Sequence, residues 1–252
     1  MKSFLHNDKP TLTAMVQGKT PERIKYLIDK CREEGAEAFG MQFEQLLPEY
    51  KNDDVLKDLF EYAGDLPVYF TNYRFGTNEG KSDEVLADEL VHLAELNGGG
   101  LADMMGDYFD KVEGELTMKP EAIEKHNSLI NKLHEKGAKV LMSSHVLKFT
   151  PAERVLEIAL EHQRRGADIS KIVTFANSTA EEMENLRIVT LLKEKLSIPF
   201  LFLAGGECRI LRRIGGELGC CMYLCVHEYD DIATSAQPLL KNLKEIRNNI
   251  RR

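Results

Sequence analysis

Short apolar runs alternate with longer segments of helical periodicity along almost the whole chain. The runs TLTAMVQG, AEAFGMQF, PVYFTNYR, GLADMMGDYF, KVLMSSHVL, ISKIVTF, PFLFLAGG and CCMYLCVHE recur about every 30 residues. Each has the length and content of a buried strand. Between them PERIKYLIDKCREE, VLADELVHLAELN, PEAIEKHNSLINKLHEK, PAERVLEIALEHQRR and AEEMENLRIVTLLKEKL place apolar residues three and four apart, the stripe of an amphipathic helix. Start signals precede several of these: Thr20 before Pro21, Thr150 before Pro151, and Ser178 or Thr179 before a pair of glutamates. Gly35, Gly137 and Gly166 stand where helices should stop. Eight strand and helix pairs in 252 residues predict an α/β fold, a (β/α)8 TIM barrel forming a single domain over residues 1–252. An open doubly wound sheet usually has fewer strands and a glycine-rich phosphate loop after the first. The NGGG at 97–100 falls between a helix and a strand, which suits a tight turn.

Composition narrows the partners. A net charge of -8 argues against general binding to nucleic acid or anionic membranes. No run of about 18 apolar residues is present, and the start MKSFLHNDKP lacks the apolar stretch of a signal peptide, so a cytoplasmic location is expected. The five cysteines, Cys31, Cys208, Cys220, Cys221 and Cys225, have no CxxC spacing, which suits reduced thiols. Cys220 and Cys221 would point to opposite faces of a strand, and His227 with Glu228, Asp230 and Asp231 reads as a solvated acidic loop, so no metal site is expected.

Chemistry in such barrels gathers at the carboxyl ends of the strands. Polar residues expected there are Arg74 and Glu79 after the third strand, Ser143, Ser144 and His145 on the fifth, and Lys171 on the sixth. Arg212 and Arg213 follow the seventh strand, and the loop after the eighth carries Thr234, Ser235 and Gln237. Alternation puts Lys171, Val173 and Phe175 on one face. If that face is the barrel interior, desolvation favours the neutral amine, a nucleophile toward ketones. Otherwise Lys171 reaches solvent or pairs with Asp168. His145 on the neighbouring strand shifts the balance toward chemistry, since a histidine can move protons on a carbon acidified by an imine. Arg213 and Arg74 offer forks for a carboxylate.

These stretches resemble the type I 3-dehydroquinate dehydratases. GADISKIVTF is similar to the family's Schiff-base strand, which implies that Lys171 is the nucleophile. VLMSSHVLKFTP implies that His145 is the general acid/base. VYFTNYR followed by NEG implies a substrate contact at Arg74 and a His145 partner at Glu79. RRIGGELG implies a carboxylate clamp at Arg213, and the last loop implies substrate contacts at Ser235, or Thr234, and Gln237. The resemblance implies a cofactor-free hydro-lyase of the shikimate pathway, acting on a small carboxylate as a homodimer.

The sequence departs from that pattern in recognisable places. Gly40, Met41 and Gln42 stand where the family carries Glu-x-Arg, and Gly106, Asp107 and Tyr108 stand where it carries Asp-x-Glu. Val146 and Leu147 follow His145, one extra residue separates Arg74 from Glu79, and HEYDDIATSAQ is acidic where the family is basic. Two other readings therefore stand beside the dehydratase: a Schiff-base lyase for a different carboxylated β-hydroxy ketone, and a barrel that binds a carboxylate without turnover.

Overall fold

The computed structural model describes residue 4 and residues 9–207, 209–233 and 235–250. Its strands are β1 (Thr11–Met15), β2 (Ala38–Gln42), β3 (Val68–Thr71), β4 (Gly100–Met105), β5 (Ala138–His145), β6 (Ile169–Ala176), β7 (Phe200–Gly206) and β8 (Met222–Cys225). The intervening helices are α1 (Pro21–Glu34), α2 (Asp53–Tyr62), α3 (Asp83–Leu96), α4 (Pro120–Glu135), α5 (Ala152–Arg164), α6 (Thr179–Lys195), α7 (Leu211–Leu218) and α8 (Leu240–Ile250). All the strand pairs are parallel, in the order β7-β6-β5-β4-β3-β2-β1-β8. The two ends of that order meet where Cys221 N donates to Phe200 O at 2.9 Å, closing the ring. The expected (β/α)8 barrel is the observed fold.

Local chemistry explains most helix ends. Thr20 accepts a hydrogen bond from Arg23 N with Pro21 in the first turn of α1, and Gly35 ends that helix at φ 91°. Ser178, rather than Thr179, caps α6 by accepting from Glu181 N. Thr150 does not cap α5: Pro151 occupies the cap position, so the Thr150 hydroxyl lies too far back and donates to Lys148 O instead. The NGGG segment is the tight turn expected. Gly99, at φ 116°, would put a Cβ 2.7 Å from Gly137 O.

Two apolar layers hold the barrel together. Inward side chains such as Met15, Tyr69, Leu101, Leu141, Ile169 and Leu201 fill its centre, while Phe39, Phe70, Met104 and Val140 pack outward against the helices. Each fully buried large side chain contributes about 1.5–3 kcal/mol. Cys31, Cys220 and Cys225 are buried with free thiols, and burial pushes the Cys31 and Cys220 thiols up to about 12. Cys208 lies outside the described residues. Among the described residues no helix is long and apolar enough to cross a membrane.

Candidate active site

The parallel register sets Ser143 of β5 and Leu201 of β7 beside Lys171 of β6. Lys171, Val173 and Phe175 all face one cavity of about 620 Å³ at the carboxyl ends of the strands, as alternation predicts. Lys171 does not pair with Asp168, which binds Lys139 and His134 instead. Its Nζ donates to Asp103 Oδ2 at 2.9 Å, Tyr73 Oη at 2.8 Å and Tyr69 Oη at 3.0 Å. The amine is therefore held in an ion pair, not left alone in an apolar wall.

Asp103 comes from β4 and is completely buried. Burial pushes its carboxyl up, but the Lys171 ammonium and hydrogen bonds from Ser143, Tyr69 and Tyr73 overcome this and hold it below the usual range. Ser143 Oγ and Tyr73 Oη each donate to it at 2.5 Å, and Tyr69 Oη donates as well. Burial, reinforced by the Asp103 carboxylate, pushes both phenols well above the ordinary tyrosine value, so they remain protonated donors.

His145 ends β5 and packs edge-on against Tyr73, with ring centroids 5.5 Å apart. Its expected partner, Glu79, is exposed behind the turn at Gly76–Asn78 and does not line the cavity. Glu115 takes that role: its Oε2 accepts from His145 Nδ1 at 2.6 Å and from His145 N at 3.1 Å. The long segment between β4 and α4 delivers this carboxylate. Gly106 permits the approach, because a Cβ there would stand 2.5 Å from Glu115 O. Glu115 itself adopts a left-handed φ of 51°, a sparsely populated conformation for a residue with a side chain, held by Ser144 Oγ donating to its carbonyl at 2.7 Å.

The structure places the two expected arginines differently. Arg74 reaches the cavity wall, yet Asp83 accepts from its Nε and Nη2, and Asp107 from its Nη1 and Nη2. Burial opposes the charge, but these carboxylates hold the guanidinium pKa above its ordinary value. Arg74 therefore ties the loop after β3 to α3 and β4, with most of its donors already used. Arg213 does not line the cavity and donates to Arg209 O; Arg212 and Arg209 line it instead. Consecutive helical residues differ by roughly 100° in direction, so with α7 starting at Leu211 only one of the adjacent arginines points inward. Arg212 is 7 % exposed and donates to Ala204 O at 2.7 Å. Burial, with Arg209 adding repulsion, lowers its pKa to about 10.

The final loop supplies Ser235 and Gln237 to the cavity. Among the described residues Gln237 Oε1 is buried without a hydrogen-bond partner. Thr234 lies outside the described residues. The acidic part of this loop is partly offset: Glu228 and Asp230 share Arg23 of α1, while His227 contacts Glu34. Among the described residues no group of three His, Cys, Asp or Glu side chains is placed to hold a metal.

Gln42 lines the cavity, but Gly40 leaves its space to neighbours: a Cβ there would lie 2.3 Å from Met15 Sδ. The nearby acid is Glu44, completely buried beneath the Tyr73 loop, where it accepts from Thr71 Oγ1 and Tyr73 N. Burial pushes its carboxyl up to about 7, hydrogen bonds only partly opposing the shift. The folded protein thus binds the extra proton between the ordinary value of 4.5 and about 7, and stability falls as pH rises through that window. The loss amounts to about 3 kcal/mol. Urea midpoints at pH 5 and pH 8 should show it in the wild type and not in Glu44→Gln; parallel pH dependence of the two would exclude the effect.

Fold and site together define a class: a (β/α)8 barrel presenting a buried lysine and a carboxylate-held histidine at its carboxyl-terminal mouth. The chain belongs to the type I 3-dehydroquinase family, whose model matches residues 12–250. The 3-dehydroquinate dehydratase of Alkaliphilus oremlandii is 34% identical over 160 residues, covering 63% of this chain and 58% of that protein. For the 3-dehydroquinate dehydratase of Clostridioides difficile the identity is 26% over 168 residues, covering 66% and 61%. The chain thus spans about three fifths of the length of these curated relatives. A solved 3-dehydroquinate dehydratase from Geobacillus kaustophilus superposes with a TM-score of 0.84 at 16% identity, covering 100% of this chain and 96% of the other. The type I enzyme from Clostridium difficile with covalently modified comenic acid gives 0.79 at 18%, covering 98% and 94%. At such identities the structural likeness establishes the fold alone.

Proposed function

We propose that the protein dehydrates 3-dehydroquinate to 3-dehydroshikimate through a Schiff base on Lys171, a cofactor-free step of the shikimate route to aromatic amino acids. The observation that carries this reading is the convergence of Lys171 and His145 on one cavity, with Glu115 on His145 Nδ1. The amine condenses with the ketone, and the iminium draws electrons from the adjacent carbon. A proton on Nδ1, shared with Glu115, leaves Nε2 as the base that removes the acidified hydrogen. The same nitrogen then returns the proton to the departing β-hydroxyl as water leaves, and hydrolysis of the imine restores Lys171. Arg212 and Arg209 take over the carboxylate recognition expected of Arg213, while Ser235 and Gln237 contact the remaining polar groups. The reading extends to a homodimer, on the strength of the family resemblance.

Borohydride added with 3-dehydroquinate tests the assignment. Product absorbance without borohydride and a reduced adduct on Lys171 with it are expected; the absence of both would overturn it. A second reading, a lyase for another carboxylated β-hydroxy ketone, is favoured by one observation: the apolar Met15 side chain fills the space beside Gly40, leaving no room there for an acid. A panel of keto acids in the same trap separates the readings, since labelling by 3-dehydroquinate alone would reject the second.

A further inference from the structure

Forming an imine from an ammonium group and a ketone moves two protons from nitrogen to the carbonyl oxygen, which departs as water. A group touching both the amine and the substrate is needed to carry them. Asp103 accepts from Lys171 Nζ at 2.9 Å, but it is completely buried and does not line the cavity. His145 does line it, from two residues beyond Ser143, the lateral neighbour of Lys171, but among the described residues its hydrogen bonds go to Glu115 and not to the Lys171 amine. Tyr73 meets both requirements. Its hydroxyl is 2.8 Å from Lys171 Nζ and 2.5 Å from Asp103 Oδ2, and the residue borders the cavity.

We propose that Tyr73, backed by Asp103, is a further catalytic acid and base of imine formation and hydrolysis, acting at the Lys171 amine itself. The inference rests on the Schiff-base reading above and adds a residue to it. In the cycle Asp103 takes one proton from the ammonium, and the freed amine attacks the carbonyl carbon. Tyr73 passes a proton from the new N–H to the alkoxide, giving the carbinolamine. The proton held on Asp103 then travels through Tyr73 to the hydroxyl, the C–O bond breaks, and water leaves. Both protons lost by nitrogen end on that water, so Tyr73 and Asp103 return unchanged, with the carboxylate beside the iminium charge. Tyr69 Oη, 3.0 Å from Nζ and also on Asp103, supports the same couple from β3.

Glyoxylate is a suitable probe because it is a carboxylated aldehyde with no hydroxyl to eliminate, so imine formation is read without dehydration. Wild type and Tyr73→Phe are mixed with glyoxylate, quenched with borohydride at timed intervals, and the Lys171 peptide is weighed. Tyr73→Phe should approach its plateau about tenfold or more slowly with the plateau itself unchanged, since a catalyst alters rate and not equilibrium. A merely structural loss would lower the plateau. Tyr69→Phe, expected to slow the approach less, provides a second variant should Tyr73→Phe fold poorly. Wild-type rates in both variants would overturn the inference, as would a wild type whose Lys171 takes no adduct. Slow labelling of Tyr73→Phe in a protein that never dehydrates 3-dehydroquinate would instead remove the dehydratase reading and leave the role of Tyr73 standing.

Discussion

Lys171→Met is expected to lower turnover of 3-dehydroquinate by on the order of 10⁴-fold or more, the scale on which covalent machinery fails when its nucleophile is removed. Steady-state rates and loss of the borohydride adduct check this directly. The same change reaches stability, because methionine fills similar volume but leaves Asp103 without its counter-charge. Breaking a buried ion pair from one side commonly destabilises by about 3–5 kcal/mol; donors from Tyr69, Tyr73 and Ser143 to Asp103 place this case toward the lower end. The loss should also depend on pH. In the wild type the Asp103 carboxyl is held below its ordinary 3.8, so its contribution is present above that pH and fades as pH falls through the depressed value. Without Lys171, burial raises the Asp103 value, and the penalty grows as pH rises above the ordinary one. Wild type and variant should therefore converge in acid and separate near neutrality, as denaturant midpoints at pH 4 and pH 8 will show. Equal separation at both would contradict the ion pair as the source.

His145→Ala is expected to reduce turnover by about 10²–10⁴-fold while Lys171 still takes a borohydride adduct, since proton removal from carbon follows imine formation. The mass of that adduct should be that of condensed, undehydrated substrate. Glu115→Gln tests the positioning of the imidazole more finely. Its amide can donate a hydrogen bond to Nδ1 and favour the proton on Nε2, removing the base from the nitrogen that would act. A fall of about 10²-fold is expected, larger in kcat than in KM. Glu79→Gln, which alters an exposed residue outside the cavity, should remain within about twofold of the wild type. If Glu79→Gln were the damaging change and Glu115→Gln harmless, the assignment of the His145 partner would be reversed.

Much of this site was legible because the relevant rule is local. A charged residue inside an apolar run singled out Lys171, and the alternation of strand side chains put it on the face of Val173 and Phe175. The same signal is present in GLADMM, where Asp103 interrupts an equally apolar run; setting Gly106, Asp107 and Tyr108 against the family's Asp-x-Glu passes over it. Tyr69 and Tyr73 were harder to distinguish, because a buried tyrosine in a strand ordinarily reads as apolar filling with one hydroxyl to satisfy.

The sequence by itself determined the barrel: strand and helix periods, glycine stops and the Thr20 cap depend on neighbours within a few residues. It also determined that Lys171 and His145 sit on adjacent strands. Only the tertiary structure decided their partners. Glu115 reaches His145 because the segment after β4 folds back over Gly106, a path that no short-range period encodes. Arg212 replaces Arg213 at the cavity because the phase of α7 follows from where the helix begins. Asp103 meets Lys171 across the barrel only when β3, β4, β5 and β6 are brought into register. Fold follows from local patterns that repeat, whereas the charge partners of a site depend on contacts between distant segments, which packing alone establishes.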